Sequence, residues 1–138
     1  MNVSKLPIMI ADPAAQVERN FNKYVQEFKE WAGFRHYMES TGCLEIMKLK
    51  HLNSENGLGR VLLEIKKTPN IDDFSINADL QYKKVYNVGE CLTFACITEL
   101  ITSKKSEPTR WSLYSKPSIR YHITDLGEAL LKQNRLID

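Results

Sequence analysis

Along the first third of the chain, apolar residues return at alternating spacings of three and four: Ala14, Val17, Phe21, Tyr24, Phe28 and Trp31. On an α-helix that spacing draws a narrow stripe along one side, of the kind that makes a helix–helix seam. Val25 and Ala32 widen it slightly. Asp12 suits the N-cap and Pro13 the first helical position, so the stripe has a defined start. Large aromatic side chains on so narrow a stripe need a partner surface. A dimer seam built from Val17, Phe21, Tyr24, Phe28 and Trp31 is the expectation. Packing on the rest of the domain and an aromatic ligand pocket are the alternatives. Upstream, "KLPIMI" reads as a short edge strand or an extended arm, because Pro7 cannot donate to a ladder.

The pattern then shortens. "FRHYMESTG" continues the helix with a bend or connects it onward, and "CLEIMKLKHL" predicts a helix with Leu44, Met47 and His51 on one side. "NSENG" breaks the pattern, with Ser54 able to cap the next helix. In "GLGRVLLEIKK", Leu58, Val61, Leu62 and Ile65 stand at i, i+3, i+4 and i+7, a core-facing helix. Pro69 disfavours helix at Thr68. "IDDFSINADL" predicts a short helix with Ile71, Phe74 and Leu80 apolar, and Asp72 and Asp73 at its start. "QYKKVYN" is a basic turn. "VGECLTFACITELI" predicts a helix with Val88, Leu92, Cys96 and Leu100 four apart, and "TSKKSEP" a charged loop. "TRWSLY" and "SIRYHI" alternate with period two around "SKP", which predicts a hairpin. Its inner faces would carry Trp111 and Leu113 on one strand and Ile119, Tyr121 and Ile123 on the other, with Arg110, Arg120 and His122 outward. The last helix begins at once. Thr124 can cap it, Asp125 suits its positive end, and Leu126, Leu130 and Leu131 form its apolar side. Gly127 weakens that helix, so it predicts close approach by a neighbouring backbone.

A chain of 138 residues with 43% apolar and 26% charged content suits one domain with its own core. The three cysteines, Cys43, Cys91 and Cys96, show no C-x-x-C spacing, so reduced thiols are expected rather than a disulfide framework or a zinc site. No apolar run approaches the roughly 18 residues of a membrane span, and the N-terminus lacks a signal-peptide core, so a cytoplasmic protein is expected. Phosphate-binding, dinucleotide, zinc-protease and nucleophile-elbow motifs are absent, and His36, His51 and His122 sit on unlike elements. No enzyme, cofactor or metal is therefore expected.

From about Gly57 to Gln133 the predicted order is helix, short helix, helix, hairpin, helix. "YHITDLGEALL", Tyr121 to Leu131, resembles the Tyr-x-Leu-Thr-x-x-Gly-x-x-Leu-Leu pattern that closes the wing in MarR- and PadR-like regulators, with Ile123 in place of Leu. The resemblance implies a mainly α fold with a small β-hairpin: a winged helix-turn-helix domain over residues 57–138, preceded by an N-terminal extension over 1–56 with the long helix. It also implies duplex DNA as the partner and a homodimer joined through that helix. In such regulators the third helix enters the major groove and the wing touches phosphate or the minor groove. Carried onto this chain, the helix entrance is Lys83, Lys84, Tyr86 and Asn87. The outward helix face is Thr93, Phe94 and Thr98, and the wing side is Lys104, Lys105, Arg110, Lys116 and Arg120.

Charge agrees with an anionic partner. The whole chain is only +2, yet between Lys83 and Arg120 seven basic residues face three acidic ones. The third helix itself carries no Arg, Lys or Gln, and Glu90 lies in its first turn. Base reading leans on such side chains, so phosphate contact rather than sequence reading is expected. The competing expectation is a protein-interaction module, with Phe94 and the aromatic helix docking a partner and the charges merely solvated.

Overall fold

Asp12 opens the first helix: its Oδ1 accepts a hydrogen bond from the Ala15 amide at 3.3 Å, and α1 runs Pro13–Glu27. The structure is a computed structural model that describes residues 10–27, 33, 36, 48–85, 87–106 and 118–138. The α1 stripe turns into the chain's own core. Ala14, Val17 and Phe21 are buried there, and Tyr24 and Val25 pack partly buried against it. The Phe21 ring lies 5.4 Å from Phe94. Val17 and Phe21 thus have no surface to offer a second chain, and of the expected seam Tyr24 alone is described with partial exposure. Phe28, Trp31 and "KLPIMI" up to Met9 lie outside the described residues.

The remaining elements are α2 (Gly57–Lys67), β1 (Ile71–Asp72), α3 (Asp73–Tyr82), α4 (Val88–Ile97), β2 (Ile101–Ser106), β3 (Ser118–Ile123) and α5 (Asp125–Gln133). The described fold is mainly helical, with a small antiparallel sheet in the order β1-β3-β2. Leu58, Val61, Leu62 and Ile65 of α2 are each at most 2% exposed, as their spacing predicts. They share one core with α1 and α5, so the expected boundary at residue 56 passes through common packing.

Several local expectations are corrected. The cap of α2 is Asn56, whose side chain accepts from the Gly57 amide, not Ser54. Ile71 and Asp72 are strand rather than helix: Asp72 is the N-cap of α3, its Oδ1 accepting from the Ser75 amide at 2.6 Å, and an N-cap residue is itself extended. Lys48 to His51 form a turn, the His51 amide donating to the Lys48 carbonyl, whereas residues 43–47 of the expected helix lie outside the described residues. The strand that pairs with β3 is Ile101–Ser106, where a charged loop was expected. The helix before it stops early because Glu99 takes a left-handed φ of 66°, which turns buried Leu100 and Ile101 into the sheet. "TRWSLY" lies outside the described residues, as does "FRHYMESTG" apart from His36.

The strand-to-helix corner at Thr124 clamps the fold. Thr124 Oγ1 accepts from the Gly127 amide at 3.1 Å and donates its one proton to the Glu99 carbonyl at 2.6 Å. The Thr124 amide donates to the Leu100 carbonyl at 3.1 Å. A Cβ on Gly127 would collide with the Leu100 carbonyl oxygen and stand 2.6 Å from Ile123 Cγ1. The close backbone approach expected from this glycine is therefore present, and it fixes α5 across the start of the hairpin.

Candidate nucleic-acid interface

The turn between α3 and α4 holds the first expected cations. Lys83 ends α3, and its Nζ lies 3.1 Å from Glu64 Oε1 on α2. Glu64 is only 5% exposed and is also bonded by Arg60 Nη2. Two cations therefore neutralise one buried carboxylate, and Lys83 belongs to the scaffold as much as to the surface. The sequence signals the Arg60–Glu64 half through its four-residue spacing; the Lys83 half joins residues 19 apart and has no local signature. Lys84 is exposed, adopts a left-handed φ of 64° and makes no ion pair among the described residues. Asn87 is the N-cap residue of α4 but makes no side-chain cap bond, leaving its amide available at the helix start. Tyr86 lies outside the described residues.

The sheet separates the remaining cations. Register places Asp72, Arg120 and Lys104 in one row across β1, β3 and β2. Arg120 is half-buried and its Nη1 donates to the Asn70 carbonyl at 3.1 Å. Next along that face, His122 Nε2 lies 3.2 Å from Asn70 Oδ1. Bonds from Ser75, and to a lesser degree the Arg120 charge, hold the Asp72 carboxyl below its usual range. Because strand side chains alternate, Lys105 projects to the opposite face, with Ser103, Ile119 and Tyr121. The described cations of the expected wing side are thus divided: Lys104 and Arg120 stand on one sheet face and Lys105 on the other. Arg110 and Lys116 lie outside the described residues.

α4 also departs from expectation. Phe94 is 1% exposed and Thr98 0%, so neither faces outward. Phe94 packs on Phe21, and Thr98 Oγ1 donates back to the Phe94 carbonyl at 2.7 Å. An apolar helix does not encode which side will be covered, and α1 covers this one. What remains partly open is Gly89, Glu90, Thr93 and Cys96. Thr93 is the expected reader that stays accessible; its hydroxyl donates to the Gly89 carbonyl at 3.0 Å.

Gly89, Thr93 and Cys96 of that strip line an open groove of about 550 Å³, walled by Asp73 and Asn77 of α3 and by Ser103, Ile119 and Tyr121 of the sheet, with Tyr24 of α1 at its margin. Burial, with the Cys96 and Asp73 charges adding, pushes the Tyr121 hydroxyl up to about 12. Burial likewise raises the Cys96 thiol, partly offset by a hydrogen bond with Ser103. Sequence reading missed this groove, because Asp73 signals only a helix start and Tyr121 only a strand face.

Comparison with protein-family models, curated proteins and solved structures gives no match to this chain. None of the described helices is long and apolar enough to cross a membrane.

Proposed function

We propose that this chain is a winged-helix protein that holds duplex DNA chiefly by its phosphates. The observation that carries this reading is the order α2-β1-α3-α4-β2-β3 with sheet order β1-β3-β2. A helix pair is followed directly by a two-stranded wing, and the "YHITDLGEALL" segment closes it. In this reading Lys84 and Asn87 contact the backbone where α4 begins. Lys104 and Lys105, on the two faces of the β2–β3 hairpin, let the wing straddle a phosphate strand, assisted by Arg110 and Lys116 between β2 and β3. Such contacts position a protein without reading sequence. The open strip of α4 agrees with that, since Gly89, Thr93 and Cys96 offer no bidentate base reader and Glu90 repels phosphate. A homodimer joined through the distal part of the N-terminal stripe, Tyr24, Phe28 and Trp31, would set two such grips roughly 34 Å apart.

Fluorescence anisotropy on a mixed-sequence duplex at several salt concentrations tests the reading. Affinity should fall steeply with salt, by about 0.9 log units per log unit of salt for each phosphate contact. A variant combining Lys84→Ala, Lys104→Ala and Lys105→Ala should weaken binding and flatten that slope by about 2 to 3. Equal affinity in parent and variant would sink the proposal. A protein-docking reading has its own support: Phe74 and Tyr82 on α3 are 80% and 89% exposed. It requires binding that responds little to salt and is lost in Phe74→Ser.

A further inference from the structure

We infer that the groove between α4 and the sheet binds a compact organic cation, an ammonium carried on a small apolar or aromatic body. Such a site does not depend on whether the chain binds DNA. A concavity of about 550 Å³ falls in the range of small-ligand sites, which are mostly apolar with a few convergent polar groups. Leu92, Ile97 and Ile119 supply the apolar surface here. The polar groups are Asp73, Asn77, Thr93, Ser103 and the Tyr121 hydroxyl.

Charge decides the class of occupant. The titratable groups lining the groove are Asp73, Cys96, Tyr24 and Tyr121. The thiol and the Tyr121 phenol are both driven toward their neutral forms by burial. Among the described residues Asp73 is then the one formal charge on the lining. One of its oxygens, Oδ1, accepts a long hydrogen bond from the Ile119 amide at 3.4 Å, and it makes no ion pair among the described residues. Lys105 shares the sheet face with the groove, but as the cross-strand neighbour of Ile119 it stands beyond the lining. A lone carboxylate beside two phenol rings favours a monocation, through direct attraction and through the ring faces. An anion would meet Asp73 with no compensating cation among the described residues of the walls.

A larger groove, about 720 Å³ between α1, β2 and the start of α5, carries two carboxylates, Glu99 and Asp125, so its charge does not single out a monocation, and several of its polar groups bond within the fold. Gln16 donates to Asn20, Asn20 to the Thr98 carbonyl and Thr124 to the Glu99 carbonyl.

Calorimetric titration and two-dimensional amide NMR test the site with three probes of one shape: phenethylammonium, phenethyl alcohol and phenylacetate. Phenethylammonium should bind saturably and shift the amides of Gly89, Thr93, Ser103 and Ile119. The neutral and anionic probes should bind at least about ten-fold more weakly, the scale of a charge-assisted hydrogen bond. Asp73→Asn keeps the acceptor for the Ile119 amide and should lose that preference for the cation. A Cβ on Gly89 meets nothing within 4 Å, so Gly89→Leu should fold and fill the groove, abolishing the shifts. Absence of saturable binding, equal affinity for all three probes, or undiminished affinity in Asp73→Asn or Gly89→Leu would overturn the inference.

Discussion

Replacing Gly127 with alanine sets a local gain against a tertiary loss. Alanine favours a helix over glycine by about 1 kcal/mol. Against this, the new Cβ would overlap the Leu100 carbonyl oxygen and press on Ile123 Cγ1 at 2.6 Å. No rotamer change relieves overlap with a backbone oxygen, so α5 must move away from the hairpin. Forced overpacking of this kind costs about 1 to 3 kcal/mol. The same carbonyl accepts from the Thr124 amide at 3.1 Å, and weakening that bond adds up to about 1 kcal/mol. Taken at mid-range, these terms give a net loss of about 1 to 2 kcal/mol, measured by urea unfolding followed by circular dichroism. Gly89→Ala is the matched control, since its Cβ enters open space; it should leave stability unchanged or raise it by up to about 1 kcal/mol. If Gly127→Ala unfolds within about 0.5 kcal/mol of the parent, the claim that backbone contact at the strand-to-helix corner fixes α5 is wrong.

Two further outcomes concern buried groups. Lys83→Met should destabilise by about 1 kcal/mol because it leaves buried Glu64 with Arg60 alone, whereas Lys84→Met should unfold with the parent; identical midpoints for the two variants would count against the Glu64 arrangement. Tyr121 has a folded pKa of about 12, above its unfolded value near 10. Its contribution is therefore complete below about pH 10 and lost as pH rises through about 12. Across that window the parent should lose on the order of 2 kcal/mol more stability than Tyr121→Phe, read by alkaline unfolding; parallel profiles would contradict it.

Where a feature depends on neighbours within a few residues, it can be read from the chain. Asp12 and Thr124 cap the helices they precede, and the α2 stripe points at the core because helical period and burial agree. Gly127 is readable for a different reason: a residue that weakens its own helix signals a contact elsewhere. Failures arise where the partner is remote. β1 is two residues long and exists because Ile71 finds Tyr121 across 50 positions. "ITSKKS" has one apolar residue, so no alternation marks it as the strand that pairs with β3. The candidate site suffered most. Cations close in sequence were expected to act together, but the pleat separates Lys104 from Lys105 and a buried carboxylate engages Lys83.

By itself the amino-acid sequence determined the caps of α1 and α5, which stripes are apolar and where a chain crossing must be tight, since hydrogen bonds and side-chain period act over a turn or two. Tertiary structure alone decided which strand pairs with β3, which side of the nearly all-apolar α4 stays open, and which charges remain unengaged. Those outcomes depend on surfaces meeting across many tens of residues, and a local pattern carries no record of the partner that will cover it.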